Sequence, residues 1–126
     1  MVSNLNWSGT KNNVKNLLTQ YNYYILSVCD FTKYKINDDY TYNLLSNEKD
    51  KNMLLPADEF KRRINLVNRV RGSFNMLSTM ERKIIYWTYL DKEHNYDDRF
   101  IANNLGFSLG YYYIQKKKPL LGLHMH

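Results

Sequence analysis

The sequence predicts an all-α protein. Apolar residues recur at steps of three and four through much of the chain, a Ser-x-x-Glu capping box opens one segment at Ser78, and a glycine between two capping residues divides two short segments near the C-terminus. Together these give an N-terminal helical arm over residues 1–29, a connecting segment over 30–55, and a helical module over 56–126.

The first helix is expected from about Thr10 to Cys29, with Val14, Leu17, Leu18, Tyr21, Ile25 and Val28 on one stripe. Those intervals are incompatible with strand alternation, and a stripe so narrow suits docking on another helix or pairing of two chains as a homodimer. Residues 30–55 are polar and turn-rich, as in Asn37-Asp38-Asp39 and the run Ser46 to Asn52, and read as a connection between arm and module.

A second helix is expected to begin near Pro56, with Asp58 and Glu59 at its positive end. Phe60, Ile64, Val67, Phe74 and Leu77 form its inward stripe, and Lys61, Arg62, Arg63, Arg69 and Arg71 cover its other faces. Gly72 is placed to loosen its last turn. The Ser78–Glu81 box then opens a third helix, running from Thr79 to about Leu90, with Met80, Ile84, Ile85, Trp87 and Tyr89 inward.

From Asp97 to Lys118 the pattern is that of a helix-turn-helix. Asp97 or Asp98 caps the first helix, Ile101 and Leu105 point inward, and Ala102 permits close passage of the second helix. Gly106 takes the left-handed conformation that ends the first helix, Phe107 fills the corner, and Ser108 caps a second helix over about Leu109 to Lys118. Pro119 is expected to stop that helix. Tyr112 turns inward; Leu109, Gly110, Tyr113, Ile114 and Lys117 face outward, with Tyr111 at the edge. Such a helix would enter the major groove of DNA, with Ser108, Lys116, Lys117 and Lys118 meeting phosphates.

Charge favours the same partner. Of 126 residues, 18 are basic and 12 acidic, and the resulting +6 is concentrated after residue 55, where twelve basic residues face seven acids. No acid follows Asp98. Such polarity suits a polyanion. With 44% hydrophobic residues the chain resembles an ordinary globular domain able to bury roughly two-thirds of its unfolded surface, and no apolar run approaches the about 20 residues of a membrane span. The opening Met-Val-Ser-Asn-Leu-Asn-Trp lacks a basic start and an apolar block, and one cysteine makes no internal disulfide, so a cytoplasmic location is expected.

The stretch Leu77-Ser78-Thr79-Met80-Glu81-Arg82-Lys83-Ile84-Ile85-Tyr86 resembles the opening of sigma-factor region 4 domains, as do Ile101-Ala102-Asn103-Asn104-Leu105-Gly106-Phe107-Ser108 and the Tyr-Tyr-x-x-Lys-Lys-Lys-x-Leu-Leu tail. Over about residues 77–121 the chain looks most like the small phage late-gene regulators of the ArpU/RinA type. The resemblance implies a sigma region 4-like helix-turn-helix bundle, a transcriptional regulator of phage or prophage late genes in a bacterial host's cytoplasm, and commonly an activator. The chain departs from that pattern at Leu109-Gly110-Tyr111, at Ile114-Gln115 and at Pro119. Leu109 and Ile114 can touch a thymine methyl but make no bidentate hydrogen bond. Two other readings accompany this one: a DNA-recruiting small subunit of a phage packaging machine, and a region 4-like module that binds RNA polymerase without reading DNA.

An enzyme is not expected. Cys29 is far in sequence from His94, His124 and His126, the glycines form no phosphate loop, and no Cys or His set has metal-ligand spacing, so neither cofactor nor metal is anticipated.

Overall fold

The computed structural model describes residues 7–28, 35–49, 53–91 and 94–125, and their side chains except those of 7–11 and 120–125. Cys29 and His126, with the side chains of His124 and Met125, therefore lie outside the described residues. The chain is all-α, and among the described residues there is no strand. The helices are α1 (Trp7–Val28), α2 (Ala57–Asn75), α3 (Thr79–Ile85, continued by a π-helical turn over Tyr86–Leu90), α4 (Asp98–Leu105) and α5 (Leu109–Met125).

The first core is built from the two long helices. Val14, Leu18, Tyr21, Tyr24, Ile25 and Val28 of α1 are buried with Phe60, Ile64, Val67, Val70 and Phe74 of α2, so the stripe on the N-terminal helix is covered from within the chain. Burying such side chains contributes about 1.5–3 kcal/mol each. On the described part of α1, the large apolar side chains left exposed are Tyr23 and Leu26.

The seam between α1 and α2 has a polar margin. Glu59 accepts from Arg62 at 2.6 Å and from Arg63 at 2.7 Å, and these arginines donate onward to the Tyr24 hydroxyl at 3.0 Å and the Ser27 hydroxyl at 2.9 Å. The hydrogen bonds from Arg62 and Arg63 hold the Glu59 carboxyl down at about 2.

Residues 35–49 are not a bare connection. Asn75 donates to the carbonyl of Tyr42 and accepts its N–H, at 2.7 and 2.8 Å, and Asn68 does the same for Leu45, at 2.9 and 2.7 Å. Between them Arg71 donates to the Asn43 carbonyl at 2.7 Å and to the Tyr21 hydroxyl at 3.0 Å, with its guanidinium 4.7 Å from the Tyr42 ring centre. Positions 68, 71 and 75 share one face of α2 at steps of three and four, and that face grips an extended backbone as a neighbouring strand would. Tyr40 adopts a φ of 60°, a costly left-handed conformation for a bulky residue. Its ring meets Tyr86 and Trp87 edge-on at 5.8 and 6.0 Å, which offsets that cost and ties the loop to α3.

Helix α3 opens with the expected reciprocal capping box between Ser78 and Glu81. It partitions the molecule: Ile85, Tyr86, Tyr89 and Leu90 pack on the first core, whereas Met80, Ile84 and Trp87 face a second. Its end departs from the expected regular helix. A π turn, closed by the Asp91 N–H bonding the Tyr86 carbonyl at 2.7 Å, widens the spiral there, and Leu90 in that turn is buried on the first core.

The second core comprises Ile84, Ile101, Ala102 and Tyr112, with Leu105, Phe107, Leu109 and Tyr96 against it. It joins α3 to α4 and α5. Helix α5 also packs on α1 and α2, and this corrects the expected stop at Pro119: the helix runs through it to Met125. A helical proline forfeits one backbone hydrogen bond at about 3 kcal/mol, but here Pro119 is buried and packing of α5 on the rest of the chain overrides the local preference.

Candidate nucleic-acid interface

Three tight caps set the geometry of α4 and α5. The Asp97 carboxylate accepts the Phe100 N–H at 2.8 Å and starts α4. At the other end Gly106 adopts φ 75°, where a Cβ would be strained, and the N–H groups of Phe107 and Gly106 bond the carbonyls of Ala102 and Asn103 at 2.9 and 3.1 Å. This paired closure is a Schellman turn, and it needs glycine at its left-handed position. Ser108 immediately caps α5, its hydroxyl accepting the Tyr111 N–H at 3.2 Å. Three residues thus suffice to end one helix and begin the next.

Beneath the turn the expected core residues are in place. Ile101, Ala102 and Tyr112 are buried, and Leu105 and Phe107 are half-buried, with the Phe107 ring edge-on to Tyr111 at 4.7 Å. The Tyr112 hydroxyl donates to Asp98 Oδ1 at 3.1 Å. Burial pushes its phenol far above the usual range, and the Asp98 carboxylate adds to the shift, so the proton stays on as a donor.

The face of α5 turned away from this core carries Gly110, Tyr111, Tyr113, Ile114, Lys117 and Lys118, all exposed, with Ser108 exposed at its start and Leu109 half-buried at its margin. Ile114 is 60% exposed, more than Tyr111 or Tyr113. No acidic residue occurs anywhere on the helix. Lys116 does not join this set. It turns inward, donates to Asp98 Oδ1 at 3.1 Å with its side chain only 16% exposed, and lies 5.8 Å from the Tyr112 ring centre. The helical period explains this: if Tyr112 points inward, so do the positions three, four and seven residues later, which are Gln115, Lys116 and Pro119. The same spacing buries Gln115, which sequence reasoning left unassigned.

Two further features lay outside the sequence-based expectation. Asp98, expected as a cap, is the common acceptor for Tyr112 and Lys116. The rings of His94, Tyr96 and Phe100 form a parallel stack, with centres 5.1 and 4.4 Å apart, along the approach to α4. Scattered aromatic residues in a sequence with twelve tyrosines gave no signal for it. Among the described residues no group of His, Cys, Asp or Glu side chains could hold a metal ion, and no helix is long and apolar enough to cross a membrane.

Neither protein-family models, nor curated proteins, nor solved structures match this chain. The resemblance over residues 77–121 therefore rests on those residues themselves.

Proposed function

We propose that this protein binds double-stranded DNA, with α4 and α5 acting as a helix-turn-helix whose second helix enters the major groove, and that it regulates transcription of phage or prophage late genes, as an activator. The observation that carries the reading is the capped turn from Ala102 to Ser108, which holds an acid-free helix with an exposed face over a packed partner. Lys117 and Lys118 supply cations on that face, and Arg99 is exposed nearby on α4. Ser108 and the first amides of α5 offer donors to a phosphate. Lys116 has a positioning role through Asp98 rather than a phosphate contact.

The test is recovery of fragmented genomic DNA by the purified protein at about 150 mM salt, where non-specific binding is weak, followed by sequencing. The reading expects sharp enrichment at one or two sites upstream of a gene block. Diffuse recovery from a ring of many copies would instead support a DNA-recruiting packaging subunit. A second reading, attachment to RNA polymerase, is favoured by one observation: Tyr111, Tyr113 and Ile114 form an apolar surface that a protein could also cover. Absence of DNA recovery together with polymerase capture would support it.

A further inference from the structure

We infer that α5 selects thymine-rich duplexes by covering thymine C5-methyl groups with Ile114 and its tyrosine neighbours, rather than by hydrogen-bonding base edges. The inference rests on the proposed duplex binding and deepens it to a class of sequence. Hydrogen bonds that discriminate bases in the major groove come chiefly from Arg or Lys for guanine, Asn or Gln for adenine, and Asp or Glu for cytosine, whereas a hydroxyl such as that of Ser108 bonds donor and acceptor edges alike and discriminates little. From Leu109 to Pro119 there is no Arg, Asn, Asp or Glu. The single amide, Gln115, is buried at 7% exposure. Of the lysines, Lys116 is held by Asp98, and Lys117 and Lys118 stand about two turns beyond the N-terminal part of the helix, the part that meets base edges in this docking geometry. What remains on the exposed first turns is Gly110, Tyr111, Tyr113 and Ile114. The group in the groove that such a surface recognises is the thymine methyl, the apolar group that distinguishes one base pair from the others there.

Gly110 gives this an independent support. It lies in a regular helix with no positive φ, and a Cβ placed on it would meet nothing within 4 Å. Glycine in a helix is unfavourable relative to alanine, and nothing among the described residues requires it. One step before the next outward turn (Tyr113 and Ile114), it leaves the backbone bare where a groove floor would approach.

The experiment compares binding of the full chain to a duplex of about 30 base pairs rich in A·T with the same duplex carrying deoxyuridine at every thymine position, which removes only the methyls. A G·C duplex with and without 5-methylcytosine supplies the converse, since that methyl occupies the equivalent groove position. Deoxyuridine should weaken binding about fourfold for each methyl covered, and 5-methylcytosine should strengthen binding to the G·C duplex. Ile114→Ala, at an exposed position, should shrink both differences, with affinity for the thymine duplex falling toward that for the deoxyuridine duplex. Gly110→Ala should raise thermal stability and lower affinity for the thymine duplex. Equal binding to the thymine and deoxyuridine duplexes overturns the methyl readout and leaves duplex binding standing. Failure to bind any duplex at about 100 mM salt overturns the duplex reading, and the inference with it.

Discussion

Helices α2 and α5 are both basic, yet three of the four arginines of α2 bond to other segments or to Glu59, whereas two of the three lysines of α5 are exposed. On α2, Arg62 and Arg63 are bonded to Glu59 and to hydroxyls of α1, and Arg71 is fully buried against Tyr21, Tyr42 and the Asn43 carbonyl. On α5, Lys116 is drawn inward into such a contact, while Lys117 and Lys118 are exposed on a helix without acids. Net charge therefore overstates the cationic charge that this chain leaves exposed. Arg62, Arg63 and Arg71 of α2 hold three segments together, and Lys117 and Lys118 of α5 are turned outward.

The sharpest way to break that contrast is Arg71→Ala. Truncation opens a cavity and strips partners from the Tyr21 hydroxyl and the Asn43 carbonyl, so stability should fall by about 3–5 kcal/mol in urea unfolding. A loss under about 1 kcal/mol would mean that the loop is held without it. Asn75→Ala removes both bonds to Tyr42 and should cost about 1–3 kcal/mol, with faster amide exchange at Tyr42 as its local signature. Lys116→Ala should lower stability by about 1 kcal/mol through Asp98 and the Tyr112 contact, and leave the salt dependence of DNA binding nearly unchanged.

The smallest effect concerns Glu59. Its carboxyl sits at about 2 in the folded protein against 4.5 ordinarily, so the stabilisation is fully present above pH 4.5 and fades as pH falls toward 2. Glu59→Gln should flatten the acid limb of a stability profile over that window. An unchanged limb would show that the arginines bind Tyr24 and Ser27 equally well without it.

How far each region was legible follows from what holds it. The stripe on α1, the stripe on α2, the Ser78–Glu81 box, the Asp97 cap and the Gly106 turn are encoded within a few residues, and the sequence reading and the structure agree on them. The grip of Asn68, Arg71 and Asn75 on residues 42–45 was not legible, because it joins positions 23 to 33 apart through polar side chains that look solvated in a helix pattern. Pro119 was misread for a related reason: its local cost is visible in sequence, the packing that outweighs it is not. Lys116 was legible and overlooked, since the period that buries Tyr112 also turns residue 116 inward while the lysine run suggests a uniform basic patch. For the candidate interface, sequence located the helix and the exposure of Tyr113 and Ile114, whereas structure half-buries Leu109 against the second core and turns Lys116 inward, away from the exposed Lys117 and Lys118.

The most direct test of the account matches charge against charge. Duplex affinity would be measured as a function of salt for the unaltered chain, for Lys117→Ala with Lys118→Ala, and for Lys61→Ala with Arg69→Ala, the latter two being exposed cations of α2. Each pair removes the same charge. The account predicts that the α5 pair reduces the slope of log affinity against log salt by about 2, and that the α2 pair barely changes it. Equal reductions from both pairs, or a larger one from α2, would contradict an interface on α5.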